Sequence, residues 1–232
     1  MPDAPAGQVR SLGIVGPGRV GLALARLALA AGLEVLVAGA GDVDRTRARV
    51  DGEAPGARAV TLAEAGRADV TVLAIPLGRL RELDPQALAG ALVVDAMNYW
   101  WELDGARPDL DDPTTSTSQT VQAHLTDSRV VKALGHMSLY ELENLAFPLG
   151  HPERRGAAIA GDHPRDVATV ARLVDMLGFD PVALGSLADG VRFEPGTEAF
   201  GADESADELA AMLHRFWDSQ RGRVVARARG LL

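Results

Sequence analysis

The chain has 232 residues, 47% of them hydrophobic, a formal net charge of −9 and no cysteine. The missing thiols exclude disulfides, thiolate catalysis and iron–sulfur ligation, and the acidic balance argues against broad binding to nucleic acid or to an anionic membrane. The length allows one large domain or one domain with an appendage, with a substantial core either way.

From the polar start MPDAPAGQVR onward, apolar strand-like runs alternate with helix-like stretches, and no signal peptide or membrane span is visible, so the expected location is cytoplasmic. LGIVG is followed by a helix from about Arg19 to Ala31, with Gly32 as its C′ residue. Next come LEVLVA, a helix around Val43 to Val50, the short strand ARAV, a strand from Asp69 to Ile75 and another from Ala91 to Ala96. Ser116 and Gln119 are spaced as a capping box that opens a helix over STSQTVQAHL, and the strand Arg129 to Leu134 follows. GAAIAG, a helix from Val167 to Met176 and DPVALG form a further unit, either extending the same sheet or making a small lobe. Strands this continuously apolar suit a sheet covered on both faces. The expected fold is α/β: a Rossmann-type doubly wound, mainly parallel sheet with a C-terminal βαβ extension and a terminal helix. It divides into a dinucleotide-binding domain over 8–155 and a small α/β extension over 156–232, packed as one unit. Leu209, Met212, Leu213, Phe216 and Trp217 make one apolar stripe on the terminal helix, and RGRVVARARGLL reads as a frayed basic tail.

Between the first strand and helix, Gly16-Pro17-Gly18-Arg19-Val20-Gly21 spells G-x-G-x-x-G. In that setting Gly16 permits a tight turn, Gly18 lets the backbone approach a pyrophosphate, and Gly21 lets the helix pack closely on the strand. The helix N-terminus offers unpaired N–H groups to the phosphates. On this reading Gly16→Ala should weaken dinucleotide binding far more than stability. After the second strand, where an acidic residue would accept from a ribose 2′-OH, the chain reads Gly39-Ala40-Gly41-Asp42 with Arg45 beyond. Either the glycines form a backbone nest for a 2′-phosphate with Arg45 as its counter-charge, or Asp42 faces a 2′-OH. The reading leans to NADP over NAD.

In an open α/β sheet, ligands sit beyond the carboxyl ends of the strands. Those ends carry Ile75-Pro76-Leu77, Met97-Asn98-Tyr99-Trp100-Trp101 and Gly135-His136-Met137. No Ser-His-Asp set and no metal-spaced histidine cluster is evident, so no metal is expected. His136 is the best-placed titratable group, a candidate proton donor or a satisfied loop histidine. Tyr99, Trp100 and Trp101 are either a stacking wall for a flat ring or a buried aromatic cap over the sheet edge. Of the 23 basic residues only Lys132 is a lysine. It is either a chance survivor of coding bias or a place that needs a compact ammonium on a flexible stem.

The ordered set GIVGPGRVG, VTVLAIPLG, VVDAMNYWWELDG, STSQTVQAHL, RVVKALGHM and RFEPGTEAFG resembles the coenzyme F420 (deazaflavin)-dependent NADP oxidoreductases, in particular an actinobacterial branch. The resemblance implies a hydride moved between the nicotinamide of NADPH and the deazaflavin ring. Ile75, Pro76, Asn98, Gly135, His136 and Met137 would then line the ring pocket, and a homodimer is expected. Such a transfer needs proximity, alignment and exclusion of water more than an acid or base. The alternatives are an NAD(P)H-dependent reductase of a small ketone or imine, and a non-catalytic NAD(P)-binding redox sensor.

Overall fold

The computed structural model describes residues 8–232. Its strands are β1 (Ser11–Val15), β2 (Glu34–Ala38), β3 (Arg58–Val60), β4 (Val70–Leu73), β5 (Leu92–Asp95), β6 (Arg129–Ala133), β7 (Gly156–Gly161) and β8 (Asp180–Leu184). They form one sheet in the order β3-β2-β1-β4-β5-β6-β7-β8. Every pairing is parallel except β6 with β7. The strand order reverses between β1 and β4, which opens a crevice at their carboxyl ends. The helices are α1 (Arg19–Ala30), α2 (Val43–Glu53), α3 (Leu62–Ala65), α4 (Trp101–Asp104), α5 (Thr117–His124), α6 (Leu139–Asn144), α7 (Pro164–Met176), α8 (Ala206–Arg215) and α9 (Gln220–Ala228). None of the described helices is long and apolar enough to cross a membrane.

The inner strands are buried on both faces, the edge strand β8 is not, and period-two alternation sorts the buried side chains. Leu12, Ile14, Val72, Val94, Val131 and Ile159 face one core with α1 and α7, while Val15, Leu73, Val93 and Val130 face a second core with Val121 of α5 and Leu125 just after it. Each fully buried Leu or Ile contributes about 1.5–3 kcal/mol. Helix α1 ends as the sequence suggests: Gly32 stands at φ +79°, its N–H donates to Leu29 O, and Leu33 N–H donates to Ala28 O. That pairing is a Schellman motif. The capping box at Ser116 and Gln119 is also present.

The structure resolves one alternative and corrects one reading. The unit β7–α7–β8 continues the main sheet, entered through the antiparallel β6–β7 pair. The basic segment at the end is not frayed: Ser219 accepts from Gly222 N–H and starts α9, which buries Val225 and Ala226. Alternating Arg with small and branched residues hides this helix in the sequence, because its apolar face is only a few residues wide.

Arg154 pins the loop before β7. It is 3% exposed, and its guanidinium donates to Asp180 Oδ1 at 2.6 Å, Asp175 Oδ1 at 2.7 Å and the Phe147 carbonyl at 2.8 Å. Arg154→Ala leaves these acceptors unpaired and is expected to lower stability by about 2–4 kcal/mol, read as a drop in the urea midpoint with an unchanged slope.

Candidate functional site

A cleft of about 830 Å³ lies at the carboxyl ends of β1, β2 and β4. Its floor is Gly16-Pro17-Gly18, Ala38 to Gly41 and Ala74-Ile75-Pro76, and its far wall includes Arg45 and Arg49 of α2 together with Arg79 and Glu82.

The three glycines each answer a different steric demand. Gly16 stands at φ +115° while its N–H donates to Ala38 O at 2.8 Å, and a Cβ there would sit 2.5 Å from Ala74 O. A Cβ on Gly21 would overlap the Gly16 carbonyl, so this residue sets how closely α1 approaches the turn. Gly18 is the N-cap of α1 at φ −84° and ψ −177°, where a Cβ would meet nothing within 4 Å. The first turn of α1 carries neither a capping side chain nor an acidic residue. Its N–H groups and positive dipole end therefore open onto the cleft, where an anion fits. Gly16→Ala proves a poor probe, since the new methyl would strike backbone and cost stability as well. Arg19 is exposed and Val20 packs on the first core; neither lines the cleft.

At the β2 end, Pro17 and Thr46 close over Gly39, whose missing Cβ leaves room for Thr46 Oγ1. Asp42 does not face the cleft: its carboxylate caps α2 by accepting from Asp44 N–H at 2.9 Å. Arg45 lines the cleft with no hydrogen-bond or ion-pair partner among the described residues, whereas Arg49 pairs with Glu53 and Arg79 with Glu82. The sequence reading missed Arg49 and Arg79; the i, i+4 spacing from Arg45 to Arg49 was the available signal.

The residues expected at the ring end separate. Ile75 and Pro76 line the cleft, but Leu77 is 0% exposed and belongs to the second core. Asn98 bridges the ends of β5 and β6 by donating from Nδ2 to the Gly135 carbonyl at 2.6 Å. The Tyr99 hydroxyl holds a surface loop, donating to Gly105 O at 2.9 Å and accepting from Arg107 N–H. Trp100 and Trp101 are exposed, which excludes a buried aromatic cap, and Trp100 meets Phe200 edge to face at 5.5 Å. Met137 is buried in the first core.

His136 is a core histidine. It is 3% exposed, its Nε2 accepts from Ala158 N–H at 3.4 Å, and its ring meets Phe193 edge to face. Burial pushes its pKa down to about 4, and the neighbouring Lys132 charge acts in the same direction. A neutral, enclosed imidazole cannot donate a proton to a ligand in the cleft. Lys132 is 0% exposed and pairs with Asp95 at 3.6 Å, so it too is unavailable to a ligand. Among the described residues no group of His, Asp or Glu could hold a metal ion.

Residues 11–99 match the family of coenzyme F420-dependent NADP oxidoreductases. The match spans β1 to β5 and bears out the resemblance over that stretch. Protein YjhV of Escherichia coli strain K12 is 40% identical over 81 residues, 35% of this chain, and the chain spans 57% of that protein's length. Among solved structures, hypothetical protein SMa0349 from Sinorhizobium meliloti superposes with a TM-score of 0.70 at 28% identity, over 81% of this chain and 91% of that one. A candidate F420-dependent NADP-reductase from Arthrobacter sp. FB24 gives 0.63 at 22% identity, over 90% and 93%. An imine reductase from Myxococcus stipitatus, bound to NAD+, shares the fold at a TM-score of 0.53 and 18% identity, over 97% of this chain and 68% of that one. The family and the two named reductases are NAD(P)-dependent oxidoreductases.

Gly18→Leu places a side chain in open space at an ordinary φ, so the melting temperature should stay within about 2 °C while dinucleotide affinity falls at least about tenfold by calorimetry. His136 is neutral in the folded state down to pH 4 but protonates near 6.5 when unfolded, so its contribution to stability is present above pH 6.5 and is lost as pH falls through that window. Unfolding at pH 5 should take up roughly one more proton than at pH 7.5, and His136→Gln should remove that increment from the pH dependence of the urea midpoint.

Proposed function

We propose that this protein transfers a hydride between NADP(H) and the deazaflavin coenzyme F420. The observation that carries the reading is the cleft itself: an uncapped helix N-terminus over an open glycine floor, with the unpaired Arg45 beside Gly39 to Gly41. It lies in a stretch that matches a family of that chemistry. The cleft volume is of the size that takes a nucleotide cofactor. The pyrophosphate would rest on the N–H groups of α1, and Arg45 would meet the 2′-phosphate that separates NADP from NAD.

In the forward direction NADPH gives up a hydride from its nicotinamide ring, the deazaflavin ring accepts it, and one proton is taken from solvent. The products are NADP+ and the reduced deazaflavin. No side-chain acid is needed at the ring, which accords with His136 and Lys132 being shut away from the cleft. Trp100, exposed beyond the β5 end and held edge to face on the half-buried Phe200, offers a surface on which a second flat ring can stack. A second reading, reduction of a small imine or ketone, is what the likeness to the imine reductase suggests, although the chain spans only 68% of that protein.

Mixing the protein with NADPH and oxidised deazaflavin should bleach the deazaflavin absorbance. Turnover only with imine or carbonyl compounds would transfer the assignment to the second reading, and binding without any turnover would point to a nucleotide sensor. Arg45→Gln should raise the Kd for NADPH by about tenfold or more and leave that for NADH within about twofold.

A further inference from the structure

A set of charged groups outside the cleft is enclosed at the carboxyl ends of β5 and β6. Asp95 and Lys132 are register partners across the two strands, and both side chains are 0% exposed. Together they hold the backbone of Met97 at both of its polar atoms. Asp95 Oδ1 accepts from Met97 N–H at 2.9 Å, and Lys132 Nζ donates to the Met97 carbonyl at 3.3 Å. Asp95 Oδ2 also accepts from the Ser118 hydroxyl, and Lys132 Nζ lies 3.5 Å from Thr117 Oγ1.

The contacts continue to the C-terminal helix. Thr117 donates its N–H and its hydroxyl to Glu194 Oε1 at 2.8 and 2.9 Å, and Glu194 Oε2 pairs with Arg221 of α9 at 3.3 Å. Glu194 is 4% exposed, while the Arg221 side chain is 40% exposed. The lone lysine has a steric reason as well. A Cβ on Gly190 would lie 2.8 Å from Lys132 Cδ, so the lysine stem is tightly walled. A buried ion pair of this kind roughly breaks even against apolar residues of the same volume, so net stability alone does not account for it.

Met97 precedes Asn98, whose side chain ties the β5 end to the β6 end. A dinucleotide laid from the β2 end across the glycine turn towards β4 would bring its nicotinamide end to this corner. We propose that the Asp95–Lys132 pair and its links to α9 form a positioning device for the Met97–Asn98 corner, so that Arg221 governs hydride transfer without governing nucleotide affinity. This rests on the proposed hydride transfer, and its chief readout is independent of the deazaflavin.

The test compares wild type with Arg221→Met, Arg221→Lys and Arg223→Gln; Arg223 lies on the same helix, and its side chain has no partner among the described residues. Calorimetry gives the Kd for NADP+, the emission of bound NADPH reports the surroundings of the nicotinamide, and single-turnover mixing with deazaflavin gives the transfer rate. Arg221→Met should keep Kd within about threefold, shift the bound-nicotinamide emission towards that of free NADPH, and slow transfer by roughly 10- to 100-fold. Arg221→Lys should recover most of both, and Arg223→Gln should match wild type. Unchanged emission and rate in Arg221→Met would overturn the inference, as would a loss of affinity equal to the loss of rate. If wild type binds NADPH but does not reduce deazaflavin, the proposed function fails, and the emission comparison alone still decides the role of Arg221.

Discussion

The site depends on how closely helix α1 approaches the turn that follows β1. With no side chain on Gly21, the helix comes down onto the Gly16 carbonyl, and with Gly16 in the left-handed region the turn is tight enough to allow it. The first N–H groups of α1 are thereby held at the crevice between β1 and β4, where the strand order reverses. Any bulk at Gly21 would lift the helix and blunt its dipole at the place where a phosphate would sit. The rest of the cleft is arranged around that point by the adjoining strand ends.

The cleft and the enclosed corner beside it are built on different physics. Around the glycine turn the recognising groups are backbone N–H donors and solvent-facing arginines, whose attraction for phosphate is long in range and screened by salt. Beyond β4 the chain is held by charges that never meet solvent, with Met97 clasped between Asp95 and Lys132. The first arrangement suits capture of a charged ligand; the second suits holding one short segment still.

Much of the fold was legible in the sequence because its signals are local. Apolar runs, the Gly32 helix stop and the Ser116–Gln119 box each depend on a few neighbouring residues, and all appear in the structure. The direction of β7 was not legible, since an all-apolar strand such as GAAIAG reads alike in parallel and antiparallel pairing. The site was readable where glycines enforce it and ambiguous where one residue type serves two ends. Asp42 reads as a possible partner for a ribose hydroxyl and instead caps α2, because both tasks need a carboxylate accepting a hydrogen bond at that position. His136 invites a catalytic reading until Phe193 and Ala158, distant in sequence, enclose it. The sequence placed an aspartate at the end of one apolar strand and the single lysine in another; the register that joins them is a tertiary fact.

The enclosure of Lys132 also gives the molecule a chemical reporter of its own breathing. Every other basic side chain is an arginine, so the chain holds one ε-amine, and it is sealed beneath Gly190. An acylating reagent can reach that nitrogen only when the layer over β5 and β6 parts, so the pace at which it is modified measures how often this region opens.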